Sequence, residues 1–182
     1  DFSPHSKRVF FIINPPIVDY ALGIRRSALM ESTILAKNWL KHKGQAILFC
    51  GSRRNVEIIY LYLTKDESYK EKIRSYRSGY LAEHRREIEK DLREGKIKLV
   101  ISTNALELGI DIGGLDAVFM NTYPGTIAAT RQQAGRAGRT NNTALAILIA
   151  GANPLDQYIC QHPEYLFENN PENALISPDH SE

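Results

Sequence analysis

The sequence has few cysteines and lacks the long apolar segments that membrane proteins need. Its 182 residues include two cysteines, Cys50 and Cys160, which are far apart and form no C-x-x-C pair. This usage argues against a disulfide scaffold or a zinc site, fits a reducing cytoplasmic compartment, and predicts two buried, small hydrophobic side chains. No run of 18 apolar residues and no basic-then-apolar leader is present, so we expect no membrane partner.

The motifs that hold a nucleotide unaided are also absent. There is no G-x-x-x-x-G-K-[ST] loop to hold β- and γ-phosphates and no G-x-G-x-x-G dinucleotide fingerprint. The single Asp-Glu pair, Asp66-Glu67, follows Thr64-Lys65 rather than a hydrophobic strand, so it is a poor candidate for holding Mg²⁺. We therefore expect no ATP hydrolysis by this chain alone and no metal bound to it.

Charge is unevenly distributed along the chain. The net charge is +2, but residues 151–182 contain six acidic side chains and no Lys or Arg, which leaves residues 1–150 at +8. A basic body raises the question of nucleic acid, although a solvated surface with a polar tail explains the same count. The length predicts one domain. We expect it to span residues 1–150, followed by an acidic extension over residues 151–182 that leads to a further domain.

Apolar runs alternate with helical patterns. Continuous apolar stretches over residues 8–13, 46–50, 98–103, 116–120 and 144–150 are typical of strands buried on both faces. Helical spacing follows over residues 29–40, 56–63 (with Ser52 as cap), 82–93 (with a stripe of Leu81, Ile88 and Leu92, closed by Gly95) and 126–134. This alternation predicts an α/β domain with a mostly parallel sheet. Ligands of such sheets gather at the carboxyl ends of the strands.

Four strings carry chemistry. The most specific, QQAGRAGRT (132–140), places Arg136 and Arg139 in a glycine-rich turn, where planar guanidinium groups can bind phosphate oxygens. The second, STNALELGIDIGGLD (102–116), ends a strand with Ser102 and Thr103, whose hydroxyls can bind phosphate, and places Asp111 where it can accept from a ribose hydroxyl.

The other two strings are ambiguous when taken singly. ILFCGSRRNVE (47–57) places Ser52 and Arg53 at a helix start, which suits either a backbone phosphate or ordinary capping. YRSGYLAEHRREIE (76–89) contains Gly79 and Arg86 and also fits a solvated charged helix.

Taken in order, the four strings resemble motifs IV, IVa, V and VI of the C-terminal RecA-like lobe of superfamily-two helicases. The resemblance extends from about Arg25 to Cys160. The sequences of the motifs are most similar to those of the MrfA/YprA group of bacterial DNA-repair helicases, which is related to the fungal Hrq helicases. It implies a RecA-like three-layer fold, with helices on both faces of the sheet. Gln132-Gln133 and Ser78 stand where DEAD-box RNA helicases place other residues, which weakens a DEAD-box assignment.

The resemblance also implies roles for residues. Arg136 and Arg139 would be catalytic arginine fingers, and the residues implied at ATP are Gly109, Asp111 and Gln133. The residues implied at the nucleic-acid backbone are Ser52, Arg53, Gly79, Arg86, Ser102 and Thr103. The implied cofactor is ATP with Mg²⁺, held by an N-terminal RecA-like lobe that this chain lacks.

These expectations combine into one function with two alternatives. We expect the second motor lobe of an ATP-dependent 3′–5′ DNA helicase that acts on single-stranded DNA in repair, in the bacterial cytoplasm at the nucleoid. The alternatives are an RNA helicase of the same superfamily and a non-catalytic nucleic-acid-binding module of RecA-like shape.

Overall fold

A seven-stranded parallel sheet forms the centre of the domain. The computed structural model describes residues 7–77, 81–103, 114–138, 143–167 and 174–176. The sheet strands are β1 (Lys7–Ile13), β4 (Ala46–Cys50), β5 (Ile73–Tyr76), β6 (Leu99–Ser102), β7 (Ala117–Asn121), β8 (Thr143–Ile149) and β9 (Ala174–Ile176). Their order in the sheet is β5-β6-β4-β7-β8-β1-β9, and every neighbouring pair is parallel. The five predicted strands and their parallel arrangement are therefore confirmed.

Helices connect these strands. They are α1 (Ala28–Trp39), α2 (Arg53–Leu63), α3 (Ala82–Arg93), α4 (Ile127–Ala134), α5 (Pro154–Gln161) and α6 (Glu164–Phe167), with a short 3₁₀ turn at Lys70–Lys72. A separate hairpin, β2 (Ile17–Asp19) with β3 (Ile24–Arg25), follows β1. Residues 29–40, 56–63, 82–93 and 126–134 were predicted to be helical, and each range corresponds to an observed helix.

Both faces of the sheet are covered. Alternate residues of one strand belong to different cores, because successive strand side chains point to opposite faces. Ile47 and Phe49 of β4 join the core that also contains Ile88 of α3. Ala46 and Leu48 join the core that contains Ile59 of α2. The predicted three-layer RecA-like architecture is confirmed.

The ends of the helices follow local sequence signals. Ser52 caps α2 by accepting a hydrogen bond from the Asn55 amide at 3.2 Å, and Thr126 does the same for α4 with Ala129 at 3.0 Å. Gly95 has φ +76°, the left-handed conformation that terminates α3. The predicted stripe on α3 was wrong at Leu81, which lies before the helix and is 64% exposed.

The chain after residue 150 packs into the core that contains Ile88 of α3. Ile159 of α5 and Leu166 of α6 are 1% and 4% exposed within it, and β9 pairs with β1. The described part of the acidic segment thus packs on the domain. That residues 151–182 lead to a following domain stays a prediction.

No described helix has the length and apolar character needed to cross a membrane.

Candidate nucleotide and nucleic-acid site

Three of the predicted backbone-binding residues stand at the carboxyl edge of the sheet or beside it. Ser52 and Arg53 follow β4, and both are exposed at the start of α2. Arg86 is exposed in the first half of α3, the helix that follows the carboxyl end of β5. Gly79, predicted to join them, lies outside the described residues.

The end of β6 separates the two predicted hydroxyls. Ser102 is 0% exposed, and its hydroxyl donates to the Thr103 carbonyl at 2.7 Å, so it supports the strand end and presents no group to solvent. Thr103 is half-buried, and its amide donates to the Tyr76 carbonyl at 3.2 Å. The Thr103 Oγ1 is buried and finds no hydrogen-bond partner among the described residues. A buried hydroxyl without a partner is costly and suits a ligand contact.

Arg136 lies at the opposite edge of the sheet. Its carbonyl accepts from the Leu115 amide at 2.9 Å, and Gly138 donates back to the Leu115 carbonyl at 2.9 Å. Leu115 precedes β7, and Arg8, near the start of β1, donates from Nε to the Ala137 carbonyl at 2.9 Å. Ligands of parallel sheets gather at the carboxyl ends of the strands, but this turn lies at the amino ends, because α4 returns the chain there before the turn begins.

The close approach of the two backbones requires a glycine at position 114. A Cβ at Gly114 would overlap the carbonyl group of Gly138, so only a glycine lets the two backbones approach. The STNALELGIDIGGLD and QQAGRAGRT segments are thus joined by main-chain hydrogen bonds beside Leu115. Gly109, Asp111 and Arg139, three of the predicted nucleotide residues, lie outside the described residues.

Gln133 is the one predicted ATP-binding residue that the structure describes. It is 3% exposed and lines a cleft with residues 49–51 and 121–124, whereas Gln132 is exposed. Contact between Gln133 and a nucleotide would have to be made inside that cleft.

Two charged residues near these edges had not been predicted. Arg8 is half-buried, and desolvation lowers the pKa of its guanidinium below the usual value. Asp156 is 4% exposed, and one carboxylate oxygen accepts from the amides of Tyr123 at 3.1 Å and Gly151 at 2.7 Å. Asp156 had been counted with the solvated acidic tail, because composition does not distinguish a buried carboxylate from an exposed one.

The cysteines are packing residues, as predicted for Cys50, which is buried. Burial raises the pKa of Cys50 to about 12 and that of the half-buried Cys160 to about 11. Among the described residues no group of three His, Cys, Asp or Glu side chains could hold a metal ion.

Comparison with known proteins identifies the domain. The family described as "Helicase conserved C-terminal domain" matches residues 26–141. The chain belongs to this helicase family. The match begins directly after the β2–β3 hairpin and ends after the QQAGRAGRT segment, so it contains Ser52, Thr103 and Arg136 of the two edges described above.

Several helicases are similar over nearly the whole helicase domain. The ATP-dependent helicase YprA of Bacillus subtilis is 52% identical over 97% of this chain, and the ATP-dependent helicase HRQ1 of Saccharomyces cerevisiae is 41% identical over 93%. The chain spans 24% and 16% of the lengths of these proteins. It is thus a helicase C-terminal domain related to those of YprA and HRQ1, as the resemblance predicted.

Solved structures of helicases are also similar to this chain. A crystal structure of the DUF1998 helicase MrfA bound to DNA matches with a TM-score of 0.86, at 49% identity, over 96% of this chain and 24% of that one. Another, bound to DNA and AMPPNP, matches with a TM-score of 0.80 at 51% identity, over 91% and 23%. The C-terminal domain of the DEAD-box protein Dbp5, at 18% identity and a TM-score of 0.65 over 97% and 93%, shares the fold alone.

Proposed function

We propose that this domain is the second motor lobe of an ATP-dependent 3′–5′ DNA helicase or translocase that acts in DNA repair. The observation that supports this proposal is that the residues suited to strand binding and the arginine suited to ATP lie at opposite edges of one sheet. Exposed Ser52 and Arg53 lie at the carboxyl edge, with a Thr103 hydroxyl that has no hydrogen-bond partner among the described residues. The Arg136 backbone is held at the amino edge. One rigid lobe can thus bind a strand at one edge and meet a nucleotide-binding lobe at the other.

The amino edge would complete the ATP site. When bound, ATP with Mg²⁺ supplies the cleavable phosphoanhydride, and the N-terminal lobe would hold it, because the sequence has no P-loop. Arg136 and Arg139 would place guanidinium charge on the γ-phosphate. Gly109 and Asp111 would contact the nucleotide there, whereas Gln133 lines the cleft at the carboxyl edge and is not assigned to the amino edge. The main-chain hydrogen bonds to Leu115 fix the Arg136 backbone, which reduces the reorganisation that its charge needs.

The carboxyl edge would bind the single strand through its phosphates. Ser52 and Arg53 lie at a helix N-terminus, where amides and the helix dipole favour anions. Arg86, Gly79 and Thr103 would add backbone contacts. Such contacts are blind to sequence and weaken as salt rises.

DNA is favoured over RNA by one observation. The similar MrfA is described as bound to DNA, and the similarity there reaches about half of the aligned residues. An RNA helicase stays the second candidate, and unwinding of matched substrates with DNA or RNA tracking strands separates the two. We place the full protein in the bacterial cytoplasm, at the nucleoid.

The Arg136→Ala variant of the full-length protein tests the finger role. ATP turnover should fall about 10³-fold or more while ATP binding is nearly unchanged, because a finger acts on the transition state. Arg131→Ala is the matched control, since Arg131 is an exposed arginine on α4 five positions earlier. Turnover within a few-fold of wild type in Arg136→Ala would contradict the role. No ATP hydrolysis by the wild type on any strand would favour a non-catalytic module.

A further inference from the structure

A cleft of about 160 Å³ opens at the carboxyl ends of β4 and β7, beside the start of α2. Its walls come from residues 49–51, residues 121–124 and Gln133, and none of these side chains is charged. Gly51 lines the cleft and is followed directly by Ser52 and Arg53. A nucleotide whose phosphate lies at the start of α2 would therefore have its base within reach of the cleft.

One wall residue can offer a polar atom of fixed orientation to a ligand there. Asn121 is 3% exposed, and its Nδ2 uses both protons, on the Ala28 carbonyl at 3.0 Å and the Ser32 hydroxyl at 2.7 Å. These two bonds fix the amide orientation, since only the nitrogen can donate. Among the described residues the Asn121 Oδ1 receives no hydrogen bond. The cleft wall thus contains an amide of fixed orientation whose oxygen can accept a hydrogen bond.

The far wall is held in a strained conformation. Thr122 has φ +71°, unusual for a β-branched residue, and its amide donates to the Ile149 carbonyl at 2.9 Å. The Asp156 carboxylate fixes the next amide, that of Tyr123. Strain persists where the surroundings enforce it, and it is frequent at binding sites. The cleft is accordingly formed before a ligand arrives.

We propose that this cleft is a base-binding subsite for one nucleotide of the bound single strand. The Asn121 Oδ1 accepts a hydrogen bond from a base N–H, and the Tyr123 ring and Pro124 supply apolar contact. Every base carries an N–H on its Watson–Crick edge, so the subsite holds a base without selecting one. The assignment rests on the proposed function, because it requires that the strand crosses the carboxyl edge.

Gly51→Leu is the sharpest variant for this subsite. Gly51 has an ordinary φ, and a Cβ there would meet nothing within 4 Å, so the added side chain enters open space without backbone strain. The matched control is Ser68→Leu, which adds the same side chain at an exposed position that precedes the amino end of β5. Both variants are made in the full-length protein, with retained thermal unfolding as the check on folding.

Binding is measured by fluorescence anisotropy with two probes of equal length, a mixed-sequence DNA strand and the same strand with abasic residues. Gly51→Leu should weaken binding of the normal strand roughly tenfold, the size of one lost base contact. It should leave the abasic strand nearly unchanged, while Ser68→Leu matches wild type on both.

Two results would overturn the subsite. Equal weakening of both strands by Gly51→Leu would mean that the cleft meets the backbone, and an unchanged affinity for both would mean that it holds no nucleotide. Failure of the wild type to bind either strand is a different result, because it overturns the proposed function itself.

Discussion

The buried Asp156 carboxylate should be a main support of the carboxyl edge, and its removal gives a graded prediction. A single oxygen accepts from two amides, Tyr123 at 3.1 Å and Gly151 at 2.7 Å, which lie at the ends of β7 and β8. Hydrogen bonds to a charged group contribute about 1.5–3 kcal/mol each, and partial exposure of Tyr123 lets water replace some of that. We expect Asp156→Ala to lower the free energy of unfolding by about 3 kcal/mol.

Asp156→Asn separates the charge from the acceptor. Because both amides bind the same oxygen, the Asn carbonyl can replace it and keep both bonds. Charge-assisted hydrogen bonds are roughly twice as strong as neutral ones, so this variant should lose about half as much, near 1.5 kcal/mol.

Urea unfolding of this 182-residue chain, followed by circular dichroism, measures these values. Glu83→Ala is the matched control, since Glu83 is also an acid in the first turn of a helix, but it is exposed. It should cost about 0.5 kcal/mol or less. Equal values for Asp156→Ala and Glu83→Ala would refute the clamp. Equal values for Asp156→Asn and Asp156→Ala would refute the explanation by a shared acceptor oxygen.

Three further predictions concern the edges and the thiols. Gly114→Ala should lower the free energy of unfolding in urea by about 2 kcal/mol, since the added methyl group displaces Gly138 and breaks both hydrogen bonds of Leu115. The control Gly51→Ala places its methyl group in open space and should cost well under 1 kcal/mol. A similar cost for both variants would contradict the contact between Gly114 and Gly138. Thr103→Val removes a hydroxyl that has no hydrogen-bond partner in the described part of the chain, so it should leave the free energy of unfolding unchanged while it weakens single-strand binding alike across sequences. A sequence-specific loss would argue against a backbone role. Burial raises the pKa of Cys50 to about 12 and that of Cys160 to about 11, so at pH 8 both thiols should react with a thiol reagent more slowly in the folded chain than in the urea-unfolded chain. Cys50 should be the slower of the two. Equal rates in the folded and unfolded chains would disprove the burial argument.

The sequence predicted the elements whose signals are local. Five apolar runs correspond to five strands, and Ser52 and Gly95 were predicted as helix ends, because caps and strand burial depend on neighbouring residues. The short strands Ile17–Asp19, Ile73–Tyr76 and Ala174–Ile176 and the helices after residue 150 were not predicted. Their runs are too short or too mixed to show a period, and contacts with distant segments decide them.

Sequence alone determined the family, because the glycine and arginine spacing of GRAGR and its partner strings is specific without coordinates. Only the tertiary structure decided which residues meet. It placed Arg136 at the amino edge, away from Ser52, since the length and direction of α4 fix where the turn falls. It also buried Asp156 beneath two strand ends and placed Asn121 in the wall of a cleft. Burial and pairing depend on segments distant in the chain, and a linear pattern carries no record of them.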